Sequence, residues 1–369
     1  MAGRRATRRD VIGGAAAAIA AGIATLSAAS AQQTSPPKAP ATTTPPPARR
    51  GKPPGKLLRT YHRPIVVGLN AQPGEPTYQS IADIPKILKD KYDIVMEFQI
   101  HPGSTLGTDL SQLEAVQAGY LDITSNTTSQ FSVFDDSFAF VDLPHLISSW
   151  DTALRLFRSP LWQQQAAAFE KVVPVKVLPP ATAGGFRRVA NSKRRATVPA
   201  DLKGLKLRAT RSPIEQALIR QWGAEPVALP WVETYASLAQ GAIDGIHVQP
   251  IWMSRFKMHE QIKFVTDVVS LFTVQLQVMN TKTWEEMPPE IQDPFLRAAQ
   301  EAADRANTRD RAMETAALDE LKKAGVEVYT PTADEAAQWR AAGDKVLTAL
   351  GAQIDKKIVD GVTALARGA

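Results

Sequence analysis

An α/β fold is predicted for this chain of 369 residues, and three observations carry the prediction. Between Pro64 and Thr124, short apolar strands alternate with amphipathic helical stretches, the order that builds a parallel sheet. Leu205-Lys206-Leu207-Arg208 alternates as a strand does, with both leucines on one face and Lys206 and Arg208 on the other. From Phe264 a long β-prone run gives way to an amphipathic helical region from Glu290 to Lys323. The length suits two ordinary domains, and 44% hydrophobic with 22% charged residues is a globular composition with material for a sizeable core.

Taken in order, residues 1–31 predict an export signal. Thr7-Arg8-Arg9-Asp10-Val11-Ile12 resembles a twin-arginine motif, an Ala/Gly-rich run follows, and Ala29-Ser30-Ala31 offers small residues for cleavage near Ala31. An uncleaved anchor is the rival reading, disfavoured because alanine and glycine transfer poorly into hydrocarbon. The general secretory route stays open beside the twin-arginine one. Residues 32–61 read as a Pro-rich, disordered linker, with eight of the 27 prolines between Gln32 and Lys56.

Residues 1–63 also hold the basic excess. They carry +10 of a total of +6, leaving −4 for residues 64–369. The folded part is therefore mildly acidic, and the overall basicity gives no argument for a nucleic-acid partner. The absence of cysteine excludes disulfides, thiol catalysis, thiolate metal sites and a lipid-modified N-terminal cysteine.

The folded part opens with an apolar strand, Pro64–Leu69, ending at Asn70. A helical stretch over Tyr78–Lys91 follows, kinked or broken at Pro85. Ile94, Met96, Phe98 and Ile100 alternate as a second strand. Leu110–Ala118 reads as a helix that Gly119 ends, and Leu121–Thr124 as a third strand. Asn70, Ser125 and Thr127 then follow strands, on the edge where open α/β sheets bind ligands, although strand-ending turn formers look the same. Phe131–Leu146 is core and inter-domain packing. Residues 151–171 read as one helix, and Val173–Leu178 as a strand leading into a second domain near Gly184. Gly325–Tyr329 adds a strand and residues 333–366 terminal helices on the second lobe.

The stretch GFRRVANSKRRATVPADLKGLKLR, followed by GAEPVALPWVETYASLAQGAIDG, resembles the signature region of TRAP-transporter (tripartite ATP-independent periplasmic) solute-binding proteins of the DctP-like family. The segment from Gly107 through Leu113–Ile123 resembles the family's first-domain motif. The resemblance implies a two-lobed periplasmic binding protein fold with discontinuous domains, strand connections and a long spanning helix. Its lobes would be residues 62–183 with 273–310, and 184–272 with 311–369.

The resemblance also implies a site. Arg208 takes the place of the arginine that clamps the ligand carboxylate, a match to guanidinium's flat two-pronged donor that lysine cannot reproduce. Arg187 is the second basic contact, chosen over Arg188 by its spacing from the Gly-Phe pair and Asn191. Trp231 is the aromatic that packs on the ligand. Asn70, Ser125 and Thr127 meet its distal end. Some sialic-acid-binding members carry an acid where Thr127 stands, which argues against an amino-sugar acid here. Gln249 is the candidate carboxamide contact at the cost of a one-residue gap; without the gap Val248 takes the place and the polar contact is lost. Trp252 is a further candidate to line the pocket, and an aromatic wall with few acidic partners suggests a largely apolar carboxylate. The N-terminus of the helix opened by Ser212-Pro213-Ile214 is a further source of favourable field for an anion.

Catalytic motifs are absent: no nucleophile elbow, no H-E-x-x-H, no phosphate loop, no dinucleotide fingerprint. His62, His101, His145, His247 and His259 show no metal-ligand spacing, and no cofactor is expected. The expected function is capture of a small organic acid in the periplasm and delivery to TRAP membrane permease subunits, without catalysis. A sensory module reporting to a receptor kinase and an exported carboxylate-processing enzyme are the alternatives.

Overall fold

The computed structural model describes residues 59–368. The expected export signal and most of the expected linker lie outside the described residues. The linker's last three residues, Arg59–Tyr61, open the first strand instead. β1 (Arg59–Leu69) shifts its register between Tyr61 and Ile65, where Pro64 has no N–H to donate. The helical stretch after it is two helices, α1 (Pro76–Ala82) and α2 (Ile84–Tyr92), divided at Asp83. Pro85 sits at the second position of α2, where its missing N–H costs nothing.

β2 (Ile94–His101) is followed by α3 (Asp109–Ala118), whose start is capped by the Thr108 hydroxyl accepting from Ser111 N. β3 (Ile123–Thr127) begins later than predicted and runs further, so Ser125 and Thr127 lie inside the strand rather than after it. α4 (Thr128–Phe131) follows directly. The single helix predicted over 151–171 is α5 (Trp150–Phe157) and α6 (Pro160–Val172). Ser159 ends the first and caps the second by accepting from Trp162 N, and Pro160 cannot continue α5.

β4 (Val175–Val177) does not cross to the second lobe. That role falls to β5 (Ala181–Phe186), after which β6 (Arg188–Asn191) belongs to the other sheet. The second lobe continues with β7 (Lys206–Ala209), α7 (Pro213–Gln221), β8 (Glu225–Ala228), α8 (Thr234–Ala239), β9 (Gly245–Val248), α9 (Pro250–Arg255) and β10 (Phe264–Thr266). β11 (Phe272–Asn280) returns to the first sheet, and α10 (Thr281–Glu285), α11 (Pro289–Lys323), β12 (Glu327–Tyr329), α12 (Ala333–Gly351) and α13 (Lys356–Arg367) complete the chain.

Among the described residues these strands form two six-stranded sheets. The first runs β2-β1-β3-β11-β4, with β5 beside β11; β1 is parallel to β2 and β3, and β11 is antiparallel to its neighbours. The second runs β12-β10-β6-β9-β7-β8, parallel across β9, β7 and β8. The fold is thus two-lobed α/β, with β5 and β11 paired where the chain passes between the sheets.

Side chains of α11 secure that crossing. Asn307, Asp310 and Glu314 follow one another at helical spacing and face β5. Asn307 Oδ1 accepts from Thr182 N at 2.7 Å, Asp310 Oδ2 from Gly184 N at 3.0 Å, and Glu314 Oε1 from Phe186 N at 3.2 Å. Gly184 and Gly185 have φ of +93° and +81°, a region open to glycine. A Cβ on Gly184 would lie 2.3 Å from Ile251 Cγ2, so the close approach of α9 also requires glycine there. The terminal helices divide between the lobes. α12 packs on α7, whereas α13 packs on α5, not on the second lobe as expected.

Candidate ligand-binding site

A cavity of about 350 Å³ lies at the carboxyl ends of β1 and β3 on one side and of β7 and β9 on the other. This is the edge where α/β sheets hold ligands. Asn70, Asp109, Asn126, Thr127 and Gln130 line it from the first lobe. Arg187, Arg208, Thr210, Trp231, Val248, Gln249 and Trp252 line it from the second.

Arg208 follows from the alternation of β7. Leu205 and Leu207 are buried in the core, and on the opposite face Lys206 is exposed while Arg208 is only 3% exposed. Its Nε and Nη2 donate to Leu229 O at 3.2 and 3.0 Å, and its guanidinium lies 5.5 Å from the centre of the Trp231 ring. Burial lowers its pKa to about 10, so it remains charged at neutral pH. Among the described residues it forms no ion pair.

Arg187 sits between β5 and β6 and is held differently. Its Nη1 donates to Glu215 Oε1 at 2.6 Å and to His247 O at 3.2 Å, and its Nε donates to Thr273 Oγ1 at 3.0 Å. Glu215 is fully buried in the first turn of α7. It accepts from Thr210 N at 2.9 Å, from the Thr210 hydroxyl, and from His247 Nδ1 at 2.9 Å. His247 Nε2 in turn accepts from Ser270 Oγ at 2.8 Å. Burial favours protonated Glu215, but Arg187, His247 and Arg208 outweigh it and hold the carboxyl well below the usual range. Burial also lowers the His247 pKa, against the pull of Glu215. Glu215 thus occupies the start of α7, where the sequence suggested field for a ligand anion. Arg188 turns away to Asp267 and Glu314, leaving Arg187 as the arginine of that pair at the cavity.

The aromatic wall is rigid. Trp231 meets Trp252 edge to face at 5.1 Å, Trp252 stacks on Phe256 at 5.0 Å, and Trp252 Nε1 donates to Ala183 O at 2.9 Å. Gln249 lines the cavity directly, beside Val248, and its side chain does not cap α9.

The first-lobe wall is a polar network that sequence reasoning did not assemble. Asp109 Oδ1 accepts from Asn70 Nδ2 at 3.0 Å and its Oδ2 from Gln130 Nε2 at 3.0 Å. Asn126 accepts weakly from Asn70 at 3.4 Å. The largely apolar carboxylate suggested by the sequence thus meets an aromatic wall on one side and, on the other, a polar wall that carries an acid. Ser125 does not line the cavity; it is buried within β3, where alternation turns it away from the side that Asn126 presents. Asp109 was legible as an acid just after the capping Thr108 at a helix start, and Asn126 required the true length of β3. Among the described residues, no group of three or more His, Asp or Glu is arranged to hold a metal ion, and no helix is long and apolar enough to cross a membrane.

Comparison with known proteins agrees with this architecture. The model of the bacterial extracellular solute-binding protein family 7 matches residues 67–353. The 2,3-diketo-L-gulonate-binding periplasmic protein YiaO of Escherichia coli is 28% identical over 246 residues, 66% of this chain and 74% of that protein. The C4-dicarboxylate-binding periplasmic protein DctP of Rhodobacter capsulatus is 24% identical over 300 residues, 80% of this chain and 88% of that protein. Among solved structures, a TRAP periplasmic solute-binding protein of Ralstonia eutropha with bound (S)-2-acetolactate matches with a TM-score of 0.77 at 25% identity, covering 83% of this chain and 100% of that one. The chain belongs to the bacterial extracellular solute-binding protein family 7, the DctP-like solute-binding proteins of TRAP transporters.

Proposed function

We propose that this protein is the periplasmic binding component of a TRAP transporter, capturing a small organic acid between its lobes and delivering it to the membrane permease. One observation carries the reading: Arg208 is buried and charged beside the cavity, yet forms no ion pair among the described residues. A carboxylate supplies the missing countercharge, and each charge-assisted bond contributes roughly 1.5–3 kcal/mol. Arg187, compensated by Glu215, adds a positioned donor rather than a second free charge. Trp231 and Trp252 cover the ligand, Gln249 offers its carboxamide, and Asn70 and Thr127 meet the far end. Ser125 drops out of the contact set because it does not line the cavity.

Binding draws the lobes together about β5 and β11, since the ligand gains contacts from both walls only when they approach. The relatives named for diketogulonate and for C4-dicarboxylates support an acid as the solute. Work is done by binding alone, with no chemical step. The test is Arg208→Lys, expected to weaken binding of an identified acid by more than about tenfold while leaving melting of the empty protein nearly unchanged. Solution scattering of the native chain should show compaction at saturating acid. Unchanged affinity removes the clamp, and identical scattering profiles remove the closure.

A further inference from the structure

The two ends of the cavity differ in what they leave for a ligand to satisfy. At the second-lobe end the Arg208 guanidinium can only donate, and the Gln249 carboxamide can donate or accept. At the first-lobe end an N–H of Asn70 and one of Gln130 are already used. Asn70 Nδ2 and Gln130 Nε2 both point at Asp109, whose carboxylate oxygens can only accept, so the orientation of both amides is fixed. With its Nδ2 so committed, Asn70 Oδ1 is a buried acceptor with no partner among the described residues, on a residue only 5% exposed that lines the cavity. A buried acceptor without a donor is a cost that a bound group can relieve.

Resting on the carboxylate clamp proposed above, we infer that the ligand is a monocarboxylate carrying hydroxyl groups at the end remote from its carboxylate, and that Asp109 and Asn70 select it against dicarboxylates. A second carboxylate would bring only acceptors to Asp109 and to Asn70 Oδ1, and like charge to the former. An unsubstituted acid would leave Asn70 Oδ1 without a donor. A hydroxyl donates to either. An ammonium is less suited, because it adds a cation to a cavity that already holds the Arg208 guanidinium.

Calorimetric titration of the full chain with two matched series tests this. The four-carbon series is butyrate, 2,3,4-trihydroxybutyrate, succinate and 4-aminobutyrate; the six-carbon series is hexanoate, gluconate, adipate and 6-aminohexanoate. The hydroxylated acid is expected to bind at least about tenfold more tightly than its three counterparts in one series or both. Asp109→Asn should raise the affinity of the dicarboxylate relative to the hydroxylated acid by a similar factor. A dicarboxylate, plain or amino acid that equals or outranks the hydroxylated one in both series overturns the inference while leaving the clamp standing. So does a ratio unmoved by Asp109→Asn, or no binding of either hydroxylated acid. Should Arg208→Lys also leave the affinity of every bound acid unchanged, the clamp itself falls.

Discussion

Arg187 and Arg208 face the same cavity, are both 3% exposed, and are held by their surroundings in opposite ways. The Arg187 environment is closed on itself: Glu215, Thr210, His247 and Ser270 form a buried network in which the guanidinium already has its countercharge. The Arg208 environment offers one carbonyl and an indole face, and leaves the charge open toward the cavity. Burial alone does not distinguish the two cations. The pairing does.

The largest effect that can break this comparison comes from Arg187→Met. It strands Glu215 as a buried charge without its main partner, so the empty protein should lose about 3–5 kcal/mol in denaturant unfolding. A loss below about 1 kcal/mol would mean that Arg187 is as uncommitted as Arg208. Arg208→Met is the converse. It should reduce acid affinity by about a hundredfold or more, while unfolding of the empty protein changes little or shifts toward greater stability, because no buried partner is abandoned. Destabilisation as large as that of Arg187→Met would erase the distinction.

Smaller effects sharpen the picture of the crossing that carries both arginines' lobe. Gly184→Ala must hold alanine at φ +93° with its Cβ against Ile251, and should cost on the order of 1–3 kcal/mol. A neutral result would show that β5 and α9 yield easily. The smallest effect concerns Glu75 and Asp310, which line a second, smaller cavity with Ile251 and Trp252. Burial raises both, each to about 7, Glu75 against the bond from Gln72 N and Asp310 against bonds from Thr182 and Gly184. A carboxyl raised in the folded state favours folding while the proton is bound. That contribution is complete below about pH 4 and is lost as pH rises through about 7. Glu75→Gln should therefore raise stability at pH 8 by on the order of 1 kcal/mol and have no such effect at pH 4. Equal shifts at the two pH values would exclude a buried, proton-holding Glu75.

The parts of the site that could be read in advance were those with strong local signals. β7 was legible because Leu205 and Leu207 alternate with charged residues, and an interruption of the helical stretch over Tyr78–Lys91 because Pro85 lacks an N–H to donate. Trp231, Trp252 and Gln249 came with the family motif, and all three line the cavity. The misreadings have separate causes. α5 and α6 merged because their apolar spacing continues across Ser159-Pro160, although that dipeptide is a capping signal. Ser125 was misplaced because the end of β3 is set by its pairing with β11, a partner about 150 residues away in the chain.

The sequence by itself determined the α/β class, the long helical region ending at Lys323 and the location of the guanidinium in β7, because local periodicity and turn chemistry act over a few residues. Only the tertiary structure decided that Glu215 forms its ion pair with Arg187 and not with Arg208, and that Asn70, Asp109 and Gln130 meet in one wall. Charge pairing and buried hydrogen bonds depend on distances of about 3 Å between segments far apart in the chain, and no spacing along the sequence encodes those distances.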